Sequence, residues 1–63
     1  MEIDNLKSRL RKAYRSGKSL REIGRICDVS HETVRKLIMS PSWSNIQYVV
    51  YERLNEGLKK HGF

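Results

Sequence analysis

The sequence predicts an all-α fold in which four helices form one small domain. Apolar residues recur every three or four positions in four separate stretches of the 63-residue chain, which is the spacing of a buried helix face. Residues that favour turns separate these stretches, and the clearest of them are Gly17, Asp28 and Pro41. A chain of this length has a thin core, so support from a partner subunit is an early expectation.

The first stretch predicts a helix over about residues 4–15. Asp4 is the expected N-cap, and Gly17 is the expected left-handed residue just past the helix end. The expected apolar face comprises Ile3, Leu6, Leu10, Ala13 and Tyr14. The opposite face is basic and comprises Lys7, Arg9, Arg11, Lys12 and Arg15.

The second and third stretches predict two short helices joined by a tight turn. Ser19 and Glu22 have the spacing of a capping box, which begins a helix over about residues 20–27. Ser30 is placed to cap a second helix over about residues 31–39 by accepting from the backbone near Thr33. The expected inward-facing residues of the pair are Ile23, Ile26, Cys27, Val34, Leu37 and Ile38.

The fourth stretch follows Pro41 and predicts a helix over about residues 44–60. Its expected apolar side comprises Trp43, Ile46, Val49, Val50, Leu54 and Leu58. Gly57 costs about 1 kcal/mol inside a helix, so a weak last turn is expected. A helix of about 17 residues spans about 25 Å, which is more than a three-helix core covers. We therefore expect a second subunit to contact Tyr48, Tyr51, Leu58 and Phe63.

Positive charge is concentrated in the first three predicted helices. The formal net charge is +6, and residues 7–36 hold ten Lys or Arg against three Asp or Glu. Residues 41–63 hold only three against two. This uneven excess favours a polyanionic partner, either nucleic acid or an acidic membrane, over a merely solubilising surface.

Composition argues against several other classes of protein. A single cysteine, Cys27, excludes an internal disulfide and a cysteine-based zinc site. No signal peptide is recognisable and no apolar run approaches the roughly 20 residues of a membrane span, so a cytoplasmic setting is expected. His31 and His61 are far apart, and the seven carboxylates show no paired or metal-ligand spacing. No enzyme activity, cofactor, metal or small-molecule ligand is therefore expected.

The string SLREIGRICDVSHETVRKLIM, residues 19–39, resembles the helix-turn-helix of small phage repressors of the Cro and lambda-repressor type. Gly24 stands where that family needs a small residue at the helix crossing. Asp28 departs from the glycine that the family often has in the turn, although Asp tolerates left-handed backbone better than most residues. The resemblance implies that the buried positions are Ile23, Cys27, Val29, Val34 and Leu37.

The resemblance also implies that the second helix of the pair enters the major groove of duplex DNA. The expected base contacts are Ser30, His31, Glu32, Arg35 and Lys36. The expected phosphate contacts are Lys18, Ser19 and Arg21, because a loop before a helix N-terminus offers cations and free backbone N–H groups. Thr33, beside the turn, is a further expected phosphate contact, with back-bonding or packing as its open alternative. Glu32 has two open interpretations, since it can accept from cytosine N4 or pair with Lys36 at i,i+4.

The predicted function is therefore a sequence-specific transcriptional repressor of phage or mobile-element type that binds a palindromic operator as a homodimer. Two alternatives stay open. The string SGKSLREIGRICDVSHETVRKL also resembles the helix-turn-helix tails of resolvases and invertases, which would make the chain a DNA-binding accessory or fragment of a recombinase or transposase. The other alternative is a helical adaptor that binds protein, against which the segregated charge argues.

Overall fold

The computed structural model describes residues 3–40, 43 and 46–63, which form four α-helices and no strand. Helix α1 runs Ile3–Arg15, α2 runs Leu20–Cys27, α3 runs His31–Met39 and α4 runs Tyr48–Lys60. The all-α prediction is confirmed for this part of the chain. None of these helices combines the length and the apolar character that crossing a membrane requires.

The predicted helix boundaries around α2 are confirmed by their capping bonds. The Glu22 N–H donates to Ser19 Oγ at 3.1 Å, and the Ser19 N–H donates to Glu22 Oε1 at 3.4 Å. Gly17 adopts the left-handed conformation with φ 106° after the end of α1. Asp4, in contrast, lies inside the first turn of α1, so its predicted role as N-cap is wrong. Its carboxylate still lies near the positive end of the helix dipole.

The turn between α2 and α3 also has the predicted conformation. Asp28 is left-handed with φ 56° and ψ 45°, and its N–H donates back to the carbonyls of Arg25 and Gly24. A Cβ atom on Gly24 would lie 2.7 Å from the Val29 carbonyl oxygen and 3.2 Å from the His31 nitrogen. The two helices therefore approach as closely as they do because residue 24 has no side chain.

One hydrophobic core connects all four helices. Its buried members are Leu6, Leu10, Ala13, Ile23, Cys27, Val34, Trp43, Leu54 and Leu58. Val29 and Leu37 pack against the edge of this core and are only partly buried. Tyr14 is 46 % exposed and lies outside it, because α1 buries Ala13 instead.

Helix α4 is shorter than the sequence predicts. It begins at Tyr48 after Gln47, and Ile46 and Gln47 are not helical. The predicted start at Ser44 lies outside the described residues. Trp43 is buried before the helix begins, and its indole Nε1 donates to the Leu37 carbonyl at 2.9 Å. Trp43 is therefore not part of the buried face of α4, although its spacing from the later apolar residues suggests a helix. It is buried because it packs under the end of α3.

Gly57 has a packing role that helix propensity does not indicate. A Cβ atom there would lie 2.5 Å from the Ile26 carbonyl oxygen and 2.6 Å from Cys27 Cα. The α4 backbone thus lies directly against α2, and α4 continues past Gly57 to Lys60. Close packing offsets the cost of glycine in the helix interior.

Arg9 was predicted on the solvent-facing basic side of α1, and the structure corrects this. The side chain is half-buried, and its Nε donates to the Phe63 carbonyl at 2.7 Å. Its two terminal nitrogens donate to the side-chain and backbone oxygens of Asn55. Arg9 therefore joins α1 to α4 and to the end of the chain, using the bidentate geometry of the guanidinium group.

Candidate nucleic-acid interface

Helix α3 presents a polar row on the side opposite its buried residue. Val34 is 0 % exposed, and this fixes the rotation of the helix relative to the core. The exposed positions of α3 are His31, Glu32, Arg35, Lys36 and Met39. The structure thus places four of the five predicted base-contact residues on one solvent-facing surface, which we call the α3 row (His31, Glu32, Arg35 and Lys36).

Ser30, the fifth predicted base contact, caps the start of this row. Its Oγ accepts from the Thr33 N–H at 3.2 Å and lies 2.8 Å from Thr33 Oγ1. The two hydroxyls share one hydrogen in this contact and hold two between them, so one donor hydrogen remains for another partner. Ser30 and Thr33, predicted as a base and a phosphate contact respectively, therefore act together in the cap and retain a single donor.

Within the described part of the chain, no ion pair joins Glu32 to Lys36. Both side chains are exposed, so the carboxylate and the ammonium group face solvent separately. Of the two interpretations of Glu32, the intrahelical pair is thus not formed in this structure. The α3 row offers a guanidinium, an ammonium, an imidazole and a carboxylate as independent hydrogen-bonding groups.

An open groove of about 520 Å³ adjoins the start of α3. Three exposed arginines line it, Arg21 and Arg25 from α2 and Arg53 from α4. Asp28 is the acidic residue in its lining. We call this feature the arginine groove (Arg21, Arg25 and Arg53). Its excess of positive charge, together with the free N–H groups at the start of α3, favours an anion.

Sequence reasoning found only one of the three arginines, Arg21. Arg25 follows Arg21 by four residues, so the i,i+4 spacing on the exposed face of α2 was a signal that could have indicated it. Arg53 has no such signal, because it reaches the groove from α4. Its Nη1 donates to the Asp28 carbonyl at 3.3 Å, a contact between residues 25 positions apart.

The other predicted phosphate contacts do not join this groove. The Lys18 ammonium lies 5.9 Å from the centre of the Phe63 ring, a cation–π contact with the end of the chain. Ser19 uses its hydroxyl to cap α2. Lys18 and Ser19 are therefore not among the residues that line the arginine groove, although both are close to Arg21 in sequence.

The four residues predicted at a subunit interface do not form one surface. Leu58 is 0 % exposed, so its prediction is wrong: it packs in the core of its own chain. Phe63 is half-buried, and its N–H donates to the Leu58 carbonyl at 2.8 Å, which folds the end of the chain onto α4. Tyr51 is also half-buried. Only Tyr48, 63 % exposed at the other end of α4, has the predicted accessibility.

Among the described residues, the two titratable groups with a shifted pKa are Cys27 and Tyr48, and neither belongs to the α3 row. Burial raises the pKa of the Cys27 thiol to about 11, so the thiol stays neutral and acts as a small apolar group in the core. A hydrogen bond to the Glu52 carboxylate raises the pKa of the Tyr48 phenol. Neither shift provides a nucleophile or a general base at neutral pH.

Comparison with known proteins gives no family for the chain. No protein-family profile, curated protein or solved structure matches it. A function is therefore inferred from the chemistry of the α3 row and the arginine groove themselves.

Proposed function

We propose that this protein is a sequence-specific double-stranded-DNA-binding transcriptional regulator, a repressor of the phage or mobile-element type, in which α2 and α3 form a helix-turn-helix. The observation that carries the proposal is the position of the exposed α3 row beside the arginine groove. A row of base-reading side chains next to a cluster of cations is what reading a duplex requires.

In the proposed complex α3 lies in the major groove. An α-helix with its side chains is about 10–12 Å in diameter, which fits the roughly 12 Å width of that groove, and the nine residues of α3 provide about two and a half turns along it. Arg35 and Lys36 donate to guanine O6 and N7, and Glu32 accepts from cytosine N4. His31 and the remaining donor of the Ser30–Thr33 pair lie at the start of the helix, where they reach a base edge or a phosphate.

The arginine groove holds the sugar-phosphate backbone beside α3. Arg21 and Arg25 come from the helix before the turn, and Arg53 is positioned by its bond to the Asp28 carbonyl. Phosphate contacts of this kind set the register of a protein on the duplex without reading sequence. The groove thus adds Arg25 and Arg53 to the predicted phosphate contacts, and it leaves base choice to α3.

A second copy of the chain is proposed to bind at the start of α4. Tyr48 and Val49 are 63 % and 48 % exposed there, next to the half-buried Ile46 and Val50. One short recognition helix reads only a few base pairs, whereas a two-fold dimer reads two half-sites about 34 Å apart. Occupancy of such an operator blocks RNA polymerase without any further domain.

A binding selection on random duplexes at two salt concentrations tests this proposal. We expect a palindromic consensus and an affinity that falls steeply with salt. Arg35→Ala and Lys36→Ala should each cost about 1–3 kcal/mol of discrimination at one base position. Lys59→Ala, which removes an exposed lysine near the end of α4, is the matched control and should leave the base preference unchanged.

The possible outcomes separate the parts of the proposal. A consensus with a single half-site would retain DNA reading and reject the dimer. Binding without any consensus would reject sequence specificity. If the Arg35 and Lys36 variants kept wild-type affinity and preference, the assignment of α3 as the reading surface would be refuted.

A further inference from the structure

Helix α1 carries a second basic surface that the proposed function does not use. Arg11, Lys12 and Arg15 are exposed and, with Ser8, line one shallow groove of about 390 Å³. Their positions are spaced i, i+3, i+4 and i+7 from Ser8, so they follow one side of the helix. We call this surface the α1 ridge (Ser8, Arg11, Lys12 and Arg15).

The α1 ridge and the α3 row are separate surfaces on different helices. At 3.6 residues per turn, the ridge lies opposite Leu6, Leu10 and Ala13, which are at most 1 % exposed. The α3 row lies opposite Val34, which belongs to the same core. Each surface therefore points away from a shared centre. The arginine groove beside the α3 row and the groove on the α1 ridge also have no lining residue in common.

The ridge cations are not bonded to other described parts of the fold. In the part of the chain that the structure describes, Arg11, Lys12 and Arg15 make no ion pair or side-chain hydrogen bond. Arg9 on the same helix differs, because its guanidinium is held by Asn55 and Phe63. Three neighbouring like charges repel one another, although Lys12 and Arg15 lie in the last turn of α1, where the helix dipole favours cations. A bound anion would remove the remaining repulsion.

We propose that the α1 ridge binds the sugar-phosphate backbone of a second segment of duplex DNA, so that one molecule joins two segments. This inference rests on the proposed function, which brings the first segment to α3. The ridge is about 10 Å long from Ser8 to Arg15. Its three cations, from Arg11 to Arg15, span about 6 Å of that length, over which one strand of B-DNA presents about two phosphates along the duplex axis.

The lining of the ridge favours DNA backbone over an acidic protein. Its four residues are all polar, and protein interfaces instead centre on buried aromatic or aliphatic anchors. It also lacks an aromatic side chain on which a single-stranded base would stack. A surface that offers only cations and a hydroxyl binds phosphate without reading sequence.

A bridging assay on the full chain tests this inference. One short mixed-sequence duplex is immobilised, the protein is added at low salt, and capture of a second, fluorescent duplex is measured. The ridge variant Lys12→Gln/Arg15→Gln is compared with Lys59→Gln/Lys60→Gln, which removes the same charge from exposed positions at the end of α4. Circular dichroism and the affinity for a single duplex are measured for each variant.

We expect the wild type and the Lys59/Lys60 variant to capture the second duplex. The ridge variant should lose at least tenfold of this capture, while its affinity for a single duplex stays within about twofold of the control variant. Undiminished capture by the ridge variant would overturn the inference, because bridging would then come from two copies of α3 in a dimer.

Two further outcomes separate this inference from the proposed function. Tight binding of one duplex by the wild type without capture of a second would overturn the bridging role alone. Failure to bind any duplex would reject the proposed function as well. Capture of a fluorescent polyglutamate chain by the wild type but not by the ridge variant, without capture of DNA, would assign the ridge to an acidic protein instead.

Discussion

The α2–α3 pair is specified by residues close together in the sequence, whereas α4 is specified by residues far from it. Ser19 with Glu22 begins α2, Asp28 makes the turn, and Ser30 with Thr33 begins α3. Helix α4 begins at Tyr48, and its N-cap residue Gln47 makes no side-chain capping bond. Its position depends instead on contacts with α1 and α2.

This difference corresponds to two roles in the proposed function. The α2–α3 pair carries the side chains that are proposed to read bases, and its local signals fix the angle between the two helices. Helix α4 packs the pair against the core through buried Leu54 and Leu58, and it adds Arg53 to the arginine groove. A helix of eight residues such as α2 is only marginally stable alone, so α2 depends on packing against α4 for its stability. No residue near α2 in the sequence indicates this dependence.

Gly57→Ala is the strongest test of this comparison. By helix propensity alone, the substitution should stabilise the protein by about 1 kcal/mol. The new Cβ would lie 2.5 Å from the Ile26 carbonyl oxygen, which is backbone of α2 and cannot rotate away. We therefore expect α4 to be pushed from α2 and the free energy of unfolding to fall by about 3 kcal/mol, as measured by urea denaturation.

The sign of the change in the free energy of unfolding distinguishes helix propensity from packing as the dominant effect at Gly57. An increase in stability would show that α4 is governed by local propensity like α2. The substitution should also weaken DNA binding, because Arg53 moves with α4 away from the Asp28 carbonyl. Affinity should fall with little change in base preference, since the α3 row is not displaced from its own turn.

Gly57 also shows why some of this structure could not be read from the sequence. The bounds of α2 and α3 match the predicted ones, because capping residues and a left-handed Asp act within a few positions. The exposure of the α3 row could also be predicted, because it follows from the helical period of residues within α3. In contrast, Trp43 has helical spacing but lies outside α4, and Leu58 resembles an interface residue but lies in the core. Such assignments depend on which helix faces which, and local spacing does not contain that information.

The residues of the candidate site also differ in whether the sequence could have predicted them. Arg25 could have been predicted from its spacing with Arg21. Arg53 could not, because only the packing of α4 brings it within 3.3 Å of the turn. Arg9 and Arg11 are equivalent by sequence pattern, and only the structure shows that Arg9 is held by α4 and the end of the chain.

Arg9→Met is the second test, with Arg11→Met as its matched control. The first substitution keeps the aliphatic stem but removes the hydrogen bonds to Asn55 and Phe63, and should lower the free energy of unfolding by about 2 kcal/mol. The second removes an exposed, unpaired arginine from the same helix and should change stability by less than about 0.5 kcal/mol. Equal effects in thermal unfolding would mean that Arg9 does not join α1 to α4.

The smallest expected effect on stability concerns Asp28, in the turn between α2 and α3. An L-residue in the left-handed region pays about 1–2 kcal/mol, and Asp28 pays less than most. Asp28→Gly removes this strain but gives the unfolded chain more freedom, which costs about 0.4–1 kcal/mol. The two terms nearly cancel, so we expect a gain in stability of about 0.5 kcal/mol. Asp28→Ala keeps the strain without the tolerance of Asp, so it should be destabilising by about 1 kcal/mol.

The Arg53 bond uses the backbone carbonyl of residue 28, so both variants should keep it. Their affinity for DNA should therefore follow their stability rather than the identity of the side chain. If the Gly and Ala variants unfolded at the same urea concentration, the left-handed turn would not be what sets the angle between α2 and α3.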